Sequence, residues 1–93
     1  MSPESQRRAA RAQVATYHES QLGELLGHVE EAIGQFRASE LDVFETDHVM
    51  FQYSRAAKEL WKFCNLPDAE FTARLIGGAS PVDWWERGAP RSR

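Results

Sequence analysis

The chain has little of what usually announces chemistry. Its 93 residues include one cysteine, Cys64, so no internal disulfide can form and a reducing compartment is expected. No apolar run approaches the roughly 18 residues needed to cross a bilayer; the most conspicuous cluster is Val49-Met50-Phe51. The opening MSPESQRRAARAQ carries paired arginines but lacks the apolar stretch of a secretory signal, and the expected location is cytoplasmic, with no membrane contact. There is no glycine-rich phosphate loop after a strand and no Ser, His and acid set at recognisable spacing. The expectation is a protein that is not an enzyme and needs no cofactor. Lysine is scarce, two against nine arginines, which together with frequent alanine suits a GC-rich bacterial genome and says nothing of mechanism.

Positive charge is also scarce where it would matter for nucleic acid. The net charge is −3, yet residues 1–16 carry +2 and residues 87–93 carry +3, leaving −8 for the body between them. Phosphate binding needs a concentrated positive surface on the folded part, so an acidic body with basic ends argues against a broad nucleic-acid face.

What is present is helical periodicity. Ser2, Pro3 and Glu4 form a start signal, but the following arm has only Val14 as a large apolar residue, so residues 1–14 are expected to be helical only when something packs on them. The firm first helix is predicted over Ala15 to Ala38, where Leu22, Leu26, Val29, Ile33 and Phe36 recur at spacings of 4, 3, 4 and 3. Gly23, Gly27 and Gly34 fall on the opposite side, either to admit a close backbone approach or tolerated because packing on the apolar side is strong. Asp42 with Glu45 three residues on reads as a capping box. The loop before it is short, so a second helix, Val43 to Cys64, should run back along the first. Its stripe of Val43, Val49, Met50, Tyr53, Ala56, Ala57, Leu60, Trp61 and Cys64 is broad enough to lie between two partners. Pro67 and Asp68 open a short third helix through Phe71, Leu75 and Ile76, stopped at Gly77 and Gly78. SPVDWWERG repeats the grammar, with Ser80 as cap, Pro81 in the first turn, Asp83 completing the box and Gly88 as the stop.

Candidate sites are few. Asp47 and His48 diverge by about 100° around the second helix and cannot form a dyad. Glu45 and His48, in ETDH, resemble the Glu-x-x-His half-site of ferritin-like di-iron bundles, which would imply a metal-binding helical bundle completed by dimerisation. Against that, His48 points away from the apolar stripe. Glu24, His28, Glu31 and Gln35 share a ridge that a solvated polar face explains equally well. Cys64 lies on the apolar stripe and reads as a small buried hydrophobe. Arg7, Arg8 and Arg11 share a helical neighbourhood that could touch phosphates, as in small DNA-binding antitoxins, but no helix-turn-helix spacing accompanies them. The tract RAAKELWKFC resembles sequence in small bacterial proteins, a likeness that brings no function with it.

The strongest functional feature is an apolar surplus. Phe44, Phe51 and Arg55 form an aromatic and cationic ridge, and Trp84 and Trp85 sit on a helix too short to stand alone. These tryptophans either fold back onto the Phe44 and Phe51 ridge or anchor another chain. The sequence therefore predicts an all-α domain over residues 15–87, with a basic arm at 1–14 and a disordered basic tail at 88–93. It consists of an antiparallel helical hairpin with two short C-terminal helices, dimerising into a four-helix-bundle-like assembly. The function expected is a non-catalytic protein–protein interaction or regulatory module, a homodimer open to a further protein partner. Phe44, Phe51, Arg55, Trp84 and Trp85 are its candidate anchors.

Overall fold

The computed structural model describes residues 2–78 and 81–90, and among them every regular element is helical. The order is α1 (Pro3–Arg37), α2 (Val43–Cys64), α3 (Ala69–Gly78) and α4 (Trp84–Arg87). Helix α1 begins where Ser2 accepts a hydrogen bond from the Ser5 amide at 3.2 Å, with Pro3 in the first turn. It runs unbroken through the basic arm because a partner packs on that arm. Ala10 and Val14 are buried against Ala73 of α3, with Cys64, Ala69 and Ile76 around them, and Gln13 Nε2 donates to the Ala73 carbonyl at 3.3 Å.

The chain turns after Arg37 through Ser39, which lies in the left-handed region at φ 62°, while the amides of Glu40 and Leu41 both reach back to the Gln35 carbonyl. Helix α2 then opens on the capping box. The Glu45 amide donates to Asp42 Oδ1 at 2.7 Å, and the Asp42 amide donates to Glu45 Oε1 at 3.0 Å. Helices α1 and α2 pack along each other in opposite sequence order: Tyr17 meets Phe63 edge-on at 6.0 Å, and Phe36 shares a cleft with Val43 and Met50. At the far end of α2 the Asn65 side chain donates to the Trp61 carbonyl at 2.9 Å, and Asp68 caps α3 by accepting from the Phe71 amide at 3.1 Å. Helix α3 continues through Gly77 and Gly78 instead of stopping before them.

The last segment departs most from expectation. Asp83 is itself the cap, accepting from the Glu86 amide at 3.1 Å, so α4 is a single turn starting at Trp84, and Pro81 and Val82 precede it outside any helix. The proposed Ser80 cap lies outside the described residues. A four-residue helix has no stability of its own, so its contacts hold it. Trp84 is 5 % exposed, in a core with Leu25, Ala56 and Leu60, and its indole Nε1 donates to the Tyr17 hydroxyl at 2.8 Å.

Residues 88–90 do not behave as a loose tail. Gly88 is buried on α2 so closely that a β-carbon there would lie 2.5 Å from the Ala56 amide nitrogen and 2.6 Å from the Gln52 carbonyl oxygen. Arg55 Nε donates to the Gly88 carbonyl at 2.7 Å, and Gln52 Nε2 donates to the Trp85 carbonyl at 2.9 Å. Only a residue without a side chain permits this approach. The remainder of the expected tail, residues 91–93, lies outside the described residues.

The molecule is a thin slab, 56 × 30 × 19 Å, with a radius of gyration of 16.3 Å against about 12 Å for a compact chain of this length. Its thickness is about two helix diameters.

Candidate interaction surfaces

The short segment α4 divides the surface of the α1–α2 pair. On α2, Gln52 and Ala56 meet the Trp85–Gly88 turn. On α1, Tyr17 accepts from the Trp84 indole and His28 stacks its ring on Trp85 at 4.2 Å and 5°. At 100° per residue, Val43, Met50 and Trp61 lie roughly 120–180° away around α2 from Gln52 and Ala56. Leu26 and Ile33 lie a comparable angle away around α1 from Tyr17 and His28, with Leu22 and Val29 roughly 100–140° away, Leu22 at the edge of the core. Those two apolar sets flank the seam on the side that α4 leaves uncovered.

The result is an open apolar face. Val43 and Trp61 are each 58 % exposed, Leu26, Ile33 and Phe36 are also exposed, and Leu22, Val29 and Met50 are half-buried between them. A shallow cleft of about 200 Å³ lined by Phe36, Val43, Thr46, Asp47 and Met50 joins the α1 and α2 portions. The breadth of the α2 stripe signalled two partners, yet sequence reasoning treated Trp61 as an ordinary member of that stripe. Among the described residues α4 protects Ala56 and Leu60, which are fully buried, and leaves Trp61 open.

The expected anchor residues separate into two groups. Phe44 and Phe51 are 74 % and 57 % exposed, so the tryptophans do not fold onto them. The close fit of Gly88 on Ala56 directs α4 to a different side of α2. Trp84 is inside the core, Trp85 is stacked on His28, and Arg55 is tied to Gly88 by its Nε while its side chain stays at the surface. Arg87 lies over the Trp84 ring at 5.7 Å.

The alternative sites are not assembled. Glu45 uses its carboxylate in the capping box, and His48 lines a separate cleft with Phe51 and Arg55. Among the described residues there is no group of three or more His, Cys, Asp or Glu side chains placed to hold a metal ion. Of the ridge formed by Glu24, His28, Glu31 and Gln35, the histidine is the residue stacked on Trp85. Arg7 and Arg11 border a cleft of about 650 Å³, but Asp68 and Glu70 line the same cleft, so it offers mixed charge; Arg8 is exposed on α1. Cys64 borders that cleft too, and burial pushes its thiol pKa up, away from the thiolate a nucleophile needs. Gly23, Gly27 and Gly34 face open space, with nothing within 4 Å of a β-carbon placed on any of them, so no described backbone approaches there. Among the described residues no helix is long and apolar enough to cross a membrane.

Comparison with protein-family models, with curated proteins and with solved structures gave no match.

Proposed function

We propose that the chain is a non-catalytic helical interaction module, of regulatory or scaffolding type, whose α1 and α2 form an antiparallel hairpin that pairs with a second copy. The two open faces meet across a two-fold axis and complete a four-helix-bundle-like homodimer. The observation that carries this reading is the uncovered apolar face containing Leu26, Ile33, Phe36, Val43 and Trp61. Taking about 150–250 Å² for a full large side chain, their exposed fractions leave roughly 500 Å² on each protomer. Two such faces together reach the ~1,000 Å² below which specific interfaces are rare. The whole-chain surface points the same way. The protomer exposes 6975 Å² where a folded monomer of its mass exposes about 5,500 Å². The excess, on the order of 1,500 Å², is the surface that a second layer of helices would cover.

The pairing leaves Phe44, Phe51 and Arg55 on the flank of α2, available to a further protein. Trp84 and Trp85 serve as the internal cover of the opposite side of the hairpin.

Thermal unfolding monitored by circular dichroism tests this reading, because a dimer that binds only in its folded form melts at a temperature that rises with protomer concentration. The wild-type chain is expected to show that rise, and the double variant Ile33→Glu/Trp61→Glu to lose it while keeping its helix content. A wild-type melting temperature independent of concentration would overturn the reading.

A further inference from the structure

The second flank of α2 has a shape and a charge of its own. Phe44, His48, Phe51, Arg55, Lys58 and Lys62 follow spacings of 4, 3, 4, 3 and 4, which places them on one row of the helix. The row is aromatic in its first half and cationic in its second. Beside it runs a trough made of two clefts, of about 350 and 510 Å³, that share Arg55 and Pro90 and so join end to end. One wall is α2 and the other is formed by Arg87, Ala89 and Pro90. The first cleft has Val49, Phe51 and Pro90 for an apolar lining. The second is bordered by Arg55, Lys58, Lys62 and Arg87 against one carboxylate, Glu59, which is already paired with Lys62 at 3.0 Å. Four cations gathered around one acid stand out on a chain whose net charge is −3.

We propose that this trough is a docking site for an acidic segment of a different protein, one that sets a large apolar side chain against Phe51 and Pro90 and runs carboxylates along Arg55, Lys58, Lys62 and Arg87. Charge complementarity selects the occupant. The chain's own continuation, Arg91-Ser92-Arg93, has the wrong sign to fill the basic end. The wall is also built in advance: Gly88 is seated on Ala56, and the Arg55 Nε hydrogen bond to its carbonyl fixes the guanidinium at the junction of the two clefts. Such preorganisation lowers the ordering entropy that binding must overcome. The trough lies around α2 from the Val43–Trp61 edge, so an acidic segment and a second copy occupy different surfaces.

Fluorescence anisotropy with two dye-labelled synthetic peptides tests the proposal on the full chain. Each peptide is about 16 residues, enough for four helical turns, with Phe and Leu in its first half. One carries glutamates in its second half and the other lysines at the same positions. The glutamate peptide is expected to bind saturably and to weaken as salt is raised. It should bind about tenfold more weakly to Lys58→Glu/Lys62→Glu, whose exposed positions leave helix content unchanged. Phe51→Ser should weaken it separately through the apolar end. Equal binding of both peptides, no saturable binding of the glutamate peptide, or unchanged affinity in the double lysine variant would each overturn the proposal. So would binding of a DNA duplex or of phosphatidylserine-containing vesicles in place of the glutamate peptide.

Discussion

Replacing Gly88 by alanine adds one methyl group, yet the structure makes it among the most damaging small changes available. The new β-carbon would sit 2.5 Å from the Ala56 amide nitrogen, 2.6 Å from the Gln52 carbonyl oxygen and 2.7 Å from the Ala56 β-carbon. None of these is the far end of a flexible side chain. All belong to the middle of α2, so the Trp85–Gly88 turn must move outward instead. Overpacking of this kind costs typically about 1–3 kcal/mol. The movement also strains the Arg55 hydrogen bond to Gly88 and the Gln52 hydrogen bond to Trp85, and a bond from a charged donor contributes about 1.5–3 kcal/mol. The two effects overlap, since both report displacement of one turn, and a loss of roughly 2–4 kcal/mol is expected. For a domain of this size that corresponds to a fall of about 10–25 °C in melting temperature. Circular dichroism melting supplies the magnitude, and a red shift of tryptophan emission would report Trp84 leaving the core. Gly34→Ala is the control, because it makes the same chemical change where nothing lies within 4 Å, and it should stabilise the helix by about 0.5–1 kcal/mol. A loss at Gly88 below about 0.5 kcal/mol, with unshifted emission, would refute the close packing of that turn on α2.

Two further expectations follow from the core and its edge. Tyr17→Phe removes the acceptor of the buried Trp84 indole N–H and should cost about 1–3 kcal/mol, measured by urea unfolding; a cost indistinguishable from zero would mean that the indole finds water or another acceptor. Cys64 should react with a disulfide reagent more slowly than free cysteine at neutral pH, because burial raises its pKa and depletes the thiolate. Its rate should keep climbing with pH beyond the ordinary cysteine value, and stability should decline over the same range, since the unfolded chain binds fewer protons there than the folded one. A rate that levels off where free cysteine does would contradict the burial.

Local signals in the sequence were the readable part of the fold. The capping box at Asp42 and Glu45, the start at Ser2 and Pro3, and the all-helical class rest on interactions within a few residues, and such interactions leave a pattern in the chain. The helicity of residues 3–14 was readable only as a condition, because Ala10 and Val14 are too small an apolar set until Ala73 comes from 60 residues away to cover them. Glycine shows the limit most plainly. Gly23, Gly27 and Gly34 read as candidates for a close approach and face open space, whereas Gly88 read as a helix stop, does end α4, and also makes the closest approach of any described glycine. A required absence of a side chain depends on what lies opposite, and nothing local to the sequence records it. The tryptophans posed the same problem. Trp84 and Trp85 are about 100° apart on one turn, and contacts far away in sequence, with Tyr17, Gln52 and Ala56, hold the turn so that Trp84 enters the core while Trp85 meets His28.

Of the candidate surfaces, Phe44, Phe51 and Arg55 were visible as a ridge whose cover stayed open, while the breadth of the α2 stripe signalled a second partner without showing which of its residues would be left uncovered. Leu26, Ile33, Phe36, Val43 and Trp61 have the spacing of residues packed between helices, and in a single copy of the chain they face outward. A seam pattern that remains exposed is what a helix pair completed by another chain would present. Mass in solution is therefore the decisive quantity. Multi-angle light scattering across a roughly hundredfold range of concentration should give twice the protomer mass of 10.6 kDa for the wild type and 10.6 kDa for Ile33→Glu/Trp61→Glu. A wild-type mass of 10.6 kDa throughout, with helix content intact, would contradict the homodimer and leave the open face to a different partner.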